Sequence, residues 1–107
     1  MNHSNTKVEY IEMLNRHRLA LSRLDNVIIE LLAQRMAVAI DIGKLKHKNK
    51  VGIEQKDFWQ VSSEVRAQHA DSNNLDLSFV EELFACIHKE SIKIQHLVFE
   101  ELDNASK

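Results

Sequence analysis

The sequence predicts an all-α fold of three helices, the first of them very long, packed as a helical bundle. Proline is absent from the 107 residues and glycine occurs only at Gly43 and Gly52, so helix formation is almost uninterrupted. Apolar residues also recur every three or four positions, which is the spacing of one helix face. A chain of this length forms one domain, residues 1–107, with a polar N-terminal tail over residues 1–7.

The first helix is predicted over residues 8–47, where the apolar periodicity continues without a helix-breaking residue until the segment HKNKVG. A helix of about forty residues is roughly 60 Å long, which exceeds the size of a compact domain of this mass. One chain cannot cover such a helix, so we expect an interlocked oligomer. The apolar face is wider than a coiled-coil seam, because it also includes Leu24, Leu31 and Val38, and this width favours a bundle.

Two shorter helices follow. The second is predicted over residues 54–70, after a turn at Lys50 to Gly52. The third begins after the loop DSNNLD, is capped by Asp76 or by Ser78 with Glu81, and ends near residue 102. Its inward face is the stripe Val80, Phe84, Ile87, Ser91, Ile94 or Gln95, and Val98.

Charge and composition exclude several function classes. The net charge is −2 and no block of five like charges occurs, so we expect no nucleic-acid partner. The N-terminal segment lacks the apolar core of a signal peptide and no run approaches a membrane span, so we expect a cytoplasmic protein. The single cysteine, Cys86, excludes an internal disulfide and is expected in the core. The histidines lack the spacing of a metal site.

Three cations fall on the inward stripe of the first helix, at Arg18, Arg35 and Lys46. An unpaired buried cation costs several kcal/mol, so each needs an anionic partner, which we interpret as a ligand. The Cα atoms of Arg35 and Lys46 are roughly 16 Å apart, and their extended side chains leave a gap of roughly 4 Å for a small polyanion. Arg18 lies about 25 Å before Arg35, so it reaches the same ligand only from another chain.

Ser91 and Gln95 place two hydrogen-bonding groups one turn apart on the inward face of the third helix. Each polar residue also has a structural alternative: Arg35 could pair with Asp25, Lys46 could extend its ammonium to solvent, and Ser91 could bond back to its own helix. Together they form a set that would clamp a carboxylated molecule and donate to an ether or hydroxyl oxygen. Because no nucleophile with a base partner occurs, we expect any catalysis to work by binding and electrostatics.

These residues give the chain a clear resemblance over roughly residues 14–99: it resembles the all-helical, type II chorismate mutases. The resemblance rests on Arg18 ahead of Leu24-Asp25, and on the segments LLAQRMAVAIDIGKLK, NLDLSFVEELF and ESIKIQ. It implies an intertwined homodimer in which the two long first helices pack together. It also implies that each of two active sites takes Arg18 from the other chain.

The same resemblance implies the Claisen rearrangement of chorismate to prephenate, without a metal, a cofactor or a covalent intermediate. In that reaction Arg35 and the partner subunit's Arg18 would clamp the two carboxylates of the folded substrate. Lys46 and Gln95 would donate to the ether oxygen, where negative charge grows as the C–O bond breaks. Ser91 would assist at a carboxylate.

The start of the second helix departs from the family pattern. The family has an acidic residue followed, three and four positions on, by Arg and Glu, whereas this chain has Ile53, Lys56 and Asp57 after a slightly shorter loop. Lys56 lacks the bidentate fork of Arg, and Asp57 is shorter than Glu by roughly 1.3 Å. We expect both changes to affect recognition of the substrate's ring substituent.

Three alternatives to a chorismate mutase stay open. Two are enzymes on the same fold, a mutase for 4-amino-4-deoxychorismate and an isochorismate pyruvate-lyase. The third is a non-catalytic regulatory dimer that binds an aromatic-pathway enzyme or metabolite. Arg18, Arg35, Lys46 and Gln95 argue against this third alternative, because a scaffold would be more stable with Leu or Met at these positions. Association with a partner enzyme of aromatic biosynthesis stays open.

Overall fold

In a computed structural model, the chain is described over residues 3–54 and 56–106, with side-chain surroundings for residues 6–54 and 58–106. This part of the chain contains three helices and no strand: α1 (His3–Lys48), α2 (Lys56–Ser72) and α3 (Leu77–Ala105). The predicted all-α class and the order of the three helices are therefore confirmed. No helix in these ranges is long and apolar enough to cross a membrane.

The helix α1 is longer than predicted, with 46 residues and a length of roughly 69 Å. It begins at His3 instead of residue 8, so most of the predicted polar tail is helical. The cause is cooperativity: once a helix exists, each added residue gains a hydrogen bond, and no Gly or Pro stops this extension. At the other end, Lys46, His47 and Lys48 place positive charge in the last turn, where the helix dipole favours it.

Both of the first two helices end in a left-handed residue that turns the chain. After α1, Lys50 has a φ of 56°, its N–H bonds to the carbonyl of His47, and the N–H of Val51 bonds to the carbonyl of Lys46. After α2, Asn74 has a φ of 57° and the N–H of Leu75 bonds to the carbonyl of Ala70. These bonds are those of the Schellman motif, which satisfies the last carbonyls of a helix. They confirm the two predicted loops.

The chain divides into two compact units, residues 1–35 and residues 36–107. In the first unit α1 carries large apolar side chains that are between 47% and 59% exposed at Val8, Ile11, Leu21, Leu24, Ile28 and Leu31. An apolar face of this extent is unusual on the surface of a monomeric protein.

The second unit contains the end of α1 together with α2 and α3. Its buried apolar side chains are Ala39, Ile53, Ala70, Val80 and Val98. Asp76 caps α3, as one of the two alternatives predicted, by accepting a hydrogen bond of 3.2 Å from the N–H of Phe79. On the inward face of α3, Gln95 is buried and Ile94 is only half-buried. Cys86 is exposed, against expectation, because it is rotated by about 100° from the covered stripe.

Candidate functional site

Lys46 and Gln95 come together although they are 49 positions apart in the sequence. The ammonium of Lys46, in the last turn of α1, donates a hydrogen bond of 2.9 Å to Oε1 of Gln95 on α3. The same ammonium donates to the backbone carbonyl of Ile53, in the loop between α1 and α2. Gln95 is 5% exposed and Ile53 is 7% exposed. Two predicted site residues therefore share a contact, and a third contributes a main-chain oxygen.

The close approach of α1 and α3 at this point depends on Gly43, which is buried one turn before Lys46. A Cβ atom at position 43 would lie 3.2 Å from Cγ of Gln95, 3.4 Å from its Cα and 3.5 Å from its Cβ. The first of these distances is shorter than ordinary van der Waals contact between carbon atoms. Hydrogen in place of a side chain at Gly43 thus lets the Gln95 backbone lie directly against α1.

Burial lowers the pKa of Lys46 from its usual value of 10.5, because removing the ammonium from water disfavours its charged form. Both oxygens described as its acceptors, in Gln95 and Ile53, are neutral. They orient the ammonium but do not neutralise it. The arrangement presents a positive charge at the edge of a buried region, which is suited to stabilising negative charge on a bound molecule.

Ser91 lies one turn before Gln95 and is 7% exposed. Its hydroxyl donates to the carbonyl of Ile87 at 3.0 Å, the bond to its own helix that the sequence left open as an alternative. Its Oγ also lies 3.9 Å from Sδ of Met36 on α1. A hydroxyl oxygen that donates to the backbone keeps its acceptor capacity. Ser91 therefore has the buried position predicted for it, and its role toward a ligand stays a prediction.

For the other predicted site residues, the structure gives a position in a helix. Arg18 is exposed and Arg35 is half-buried, and both lie in the unit of residues 1–35. A joint site of these arginines with Lys46 stays a prediction. Lys56 and Asp57 lie in the first turn of α2, but their side chains fall outside the described residues.

Two groups of side chains were not selected from the sequence. His47 Nε2 lies 2.7 Å from Oδ1 of Asp103, and its ring meets Phe99 edge-on at 5.0 Å, so the ends of α1 and α3 are joined beside Lys46. His47 follows Lys46 directly, but nothing in its spacing indicates a partner 56 positions away.

The second group lies between α2 and α3. The ring of His88 stacks on Trp59 at 4.0 Å, and the guanidinium of Arg66 lies 4.4 Å from the same Trp59 ring. A cleft of about 290 Å³ adjoins this stack, lined in part by Trp59, Arg66 and Phe84. None of the predicted site residues lines it. Within the described chain, no cluster of three or more His, Cys, Asp or Glu side chains is arranged to hold a metal ion.

The chain matches the model of a known protein family. The model of the family described as chorismate mutase type II matches residues 17–96. This range contains all eight residues selected from the sequence and also Gly43. No curated protein sequence matches the chain at a significant level.

Proposed function

The chain belongs to the type II chorismate mutase family, and on this basis we propose that it catalyses the Claisen rearrangement of chorismate to prephenate. The observation that carries the proposal is the contact between Lys46 and Gln95 at the α1–α3 crossing. In the rearrangement the ether oxygen gains negative charge as its bond to carbon breaks. A fixed cation beside an amide stabilises that charge more in the transition state than in the substrate.

The hydrogen bond between Lys46 and Gln95 indicates different roles for the oxygen and the NH₂ group of the Gln95 amide. Its Oε1 accepts from Lys46, so its NH₂ group is the part that donates to the substrate. The Lys46 ammonium has three N–H donors, of which Gln95 and the Ile53 carbonyl each take one. In the proposed reaction the third N–H of Lys46 and the NH₂ group of Gln95 donate to the ether oxygen.

The remaining roles rest on the family resemblance. Arg35 and the partner subunit's Arg18 bind the two carboxylates and hold chorismate in its reactive chair, which removes the entropic cost of reaching that conformer. Ser91 assists at one carboxylate by turning its hydroxyl hydrogen from the Ile87 carbonyl to a carboxylate oxygen. Lys56 and Asp57 contact the ring substituent. The resemblance also implies that the reaction uses no metal and no cofactor.

We also propose that the active protein is a homodimer. The exposed apolar face of α1 over residues 8–31 supports this proposal, because a second copy of the chain packed against it would bury these side chains. An obligate dimer has an unfolding midpoint that rises with protein concentration. Arg18→Ala and Arg35→Ala chains, each inactive alone, should regain activity when refolded together, because the heterodimer contains one site with both arginines. No recovery in demonstrated heterodimers would contradict the sharing of Arg18.

The activity is tested by mixing the purified protein separately with chorismate, isochorismate and 4-amino-4-deoxychorismate and identifying the products. Prephenate from chorismate supports the proposal, with a Gln95→Leu variant as the control for contaminating enzymes. Release of pyruvate from isochorismate would identify a lyase, and conversion of the amino compound alone would identify the other mutase. No conversion of any of the three would favour a regulatory protein.

A further inference from the structure

We propose that Gly43 is a positioning residue for catalysis, because its lack of a side chain sets the α1–α3 distance at which Gln95 meets Lys46. The inference rests on the proposed function and assigns a role to a residue outside the catalytic set. Gly43 contacts neither Lys46 nor substrate through a functional group. It acts through the position of Gln95.

A conformational reason for glycine is absent at this position. Among the described residues no glycine has a positive φ, so the backbone at Gly43 is one that any amino acid adopts in a helix. Glycine is also the least favourable residue after proline inside a helix, because it loses the most backbone freedom. The short distances to Gln95 are then the physical reason for glycine in the interior of α1.

The contact cannot be relieved by rotating the end of a flexible side chain. The tight contact is with Cγ of Gln95 at 3.2 Å, whereas Cα at 3.4 Å and Cβ at 3.5 Å are at ordinary contact distance. Moving Cγ by a few tenths of an ångström requires a change in the first torsion of a residue that is 5% exposed, or a small shift of α3. Either change moves Oε1 of Gln95, which lies 2.9 Å from the Lys46 ammonium.

The consequence is a specific effect on turnover. Lys46 lies three residues after Gly43, so the glycine contact and the Lys46–Gln95 hydrogen bond belong to the same crossing. Hydrogen bonds weaken as the donor–acceptor distance grows beyond about 3.2 Å. An added methyl group displaces the Gln95 donor from the ether oxygen, and small misplacements of a catalytic group lower the rate steeply.

The test compares Gly43→Ala with Gly52→Ala, which is a matched control because a Cβ at position 52 meets nothing within 4 Å. We expect Gly43→Ala to lower kcat for chorismate at least tenfold with a smaller change in KM, and Gly52→Ala to retain the wild-type values. A merely structural role would lower the yield of folded protein and leave kcat per folded site unchanged. A folded Gly43→Ala protein with wild-type kcat would overturn the inference and leave the proposed function standing.

A second measurement does not depend on activity. Gly43→Ala is introduced into the wild-type chain and into a Gln95→Ala chain, and the Tm of all four proteins is measured. Without Cγ of Gln95 the tightest contact is absent, so we expect Gly43→Ala to raise Tm in the Gln95→Ala background and to lower it or leave it unchanged in the wild type. Equal shifts in both backgrounds would overturn the inference. An inactive wild-type protein would refute the proposed function, and the four Tm values would still decide what Gly43 contacts.

Discussion

Replacement of Lys46 by methionine removes the ammonium and keeps an unbranched side chain of similar length. In the proposed reaction this variant loses one N–H donor at the ether oxygen, because the other two N–H groups bond to Gln95 and Ile53. Removal of one such donor costs about 10²–10³ in kcat, or about 2.7–4 kcal/mol of transition-state stabilisation. Methionine also releases the Gln95 amide, whose oxygen Lys46 holds, so we expect the upper end of this range.

Stability should change much less than activity, because two effects oppose each other. The Gln95 and Ile53 oxygens lose their charged donor, and an unsatisfied buried acceptor costs about 1–3 kcal/mol. The folded state also no longer buries a cation, the effect that lowers the pKa of Lys46. We therefore expect Lys46→Met to remain folded at the assay temperature.

The assay measures prephenate formation at saturating chorismate, together with thermal unfolding of the same samples. Lys44→Met is the control, because Lys44 lies in the same part of α1 and is exposed. We expect Lys44→Met to match the wild type and Lys46→Met to lose roughly a thousandfold in kcat. If folded Lys46→Met retained more than a tenth of the wild-type kcat, the assignment of Lys46 to the ether oxygen would be refuted.

Three further predictions concern pH, substrate charge and the ring substituent. Since burial lowers the pKa of Lys46 in the protein without substrate, kcat/KM should fall as pH rises, and the fall should begin below pH 10.5 as the ammonium deprotonates. The contribution of Lys46 to stability should change in the opposite sense. The cost of burying its ammonium is fully present below the folded-state pKa and disappears as pH rises from there toward 10.5. Measurements of kcat/KM and Tm against pH on the same protein would reveal both changes. Arg35→Ala should lower kcat/KM by at least roughly a thousandfold, about 4 kcal/mol, in a folded protein, and near-normal turnover would contradict the carboxylate clamp. Asp57→Glu should hold or improve kcat/KM for chorismate, and a wild-type preference above about tenfold, or 1.4 kcal/mol, for the amino compound would instead identify that compound as the substrate.

The helices were largely predictable because their signals are local. The absence of proline, the apolar spacing and the capping residue Asp76 fixed the number, order and approximate ends of the helices. The sequence predicts the start of α1 at residue 8, five residues after its observed start at His3. The polar composition of the segment suggested a tail, whereas helix propagation depends on the absence of a breaker more than on polarity.

The sequence selects candidate site residues but does not predict which of them are in contact. Lys46, Ser91 and Gln95 were selected because polar groups on inward helical stripes require partners. Their pairing could not be derived, since the register between α1 and α3 depends on how two helices distant in sequence cross. Gly43 carried a signal that was available, as a glycine inside a strongly helical segment needs a steric or conformational reason. The sequence alone does not distinguish a close steric contact from an unusual backbone conformation at this position.

The acceptor at position 53 is a main-chain carbonyl, so substitutions of the Ile53 side chain do not remove it. Every residue type carries that oxygen, so replacing Ile53 by valine or leucine leaves the acceptor for Lys46 in place. Alanine scanning would therefore score Ile53 only as a packing residue and would miss the polar contact. What preserves the contact is the path of the loop between α1 and α2. Insertion or deletion of one residue there should therefore damage the site more than most substitutions at position 53.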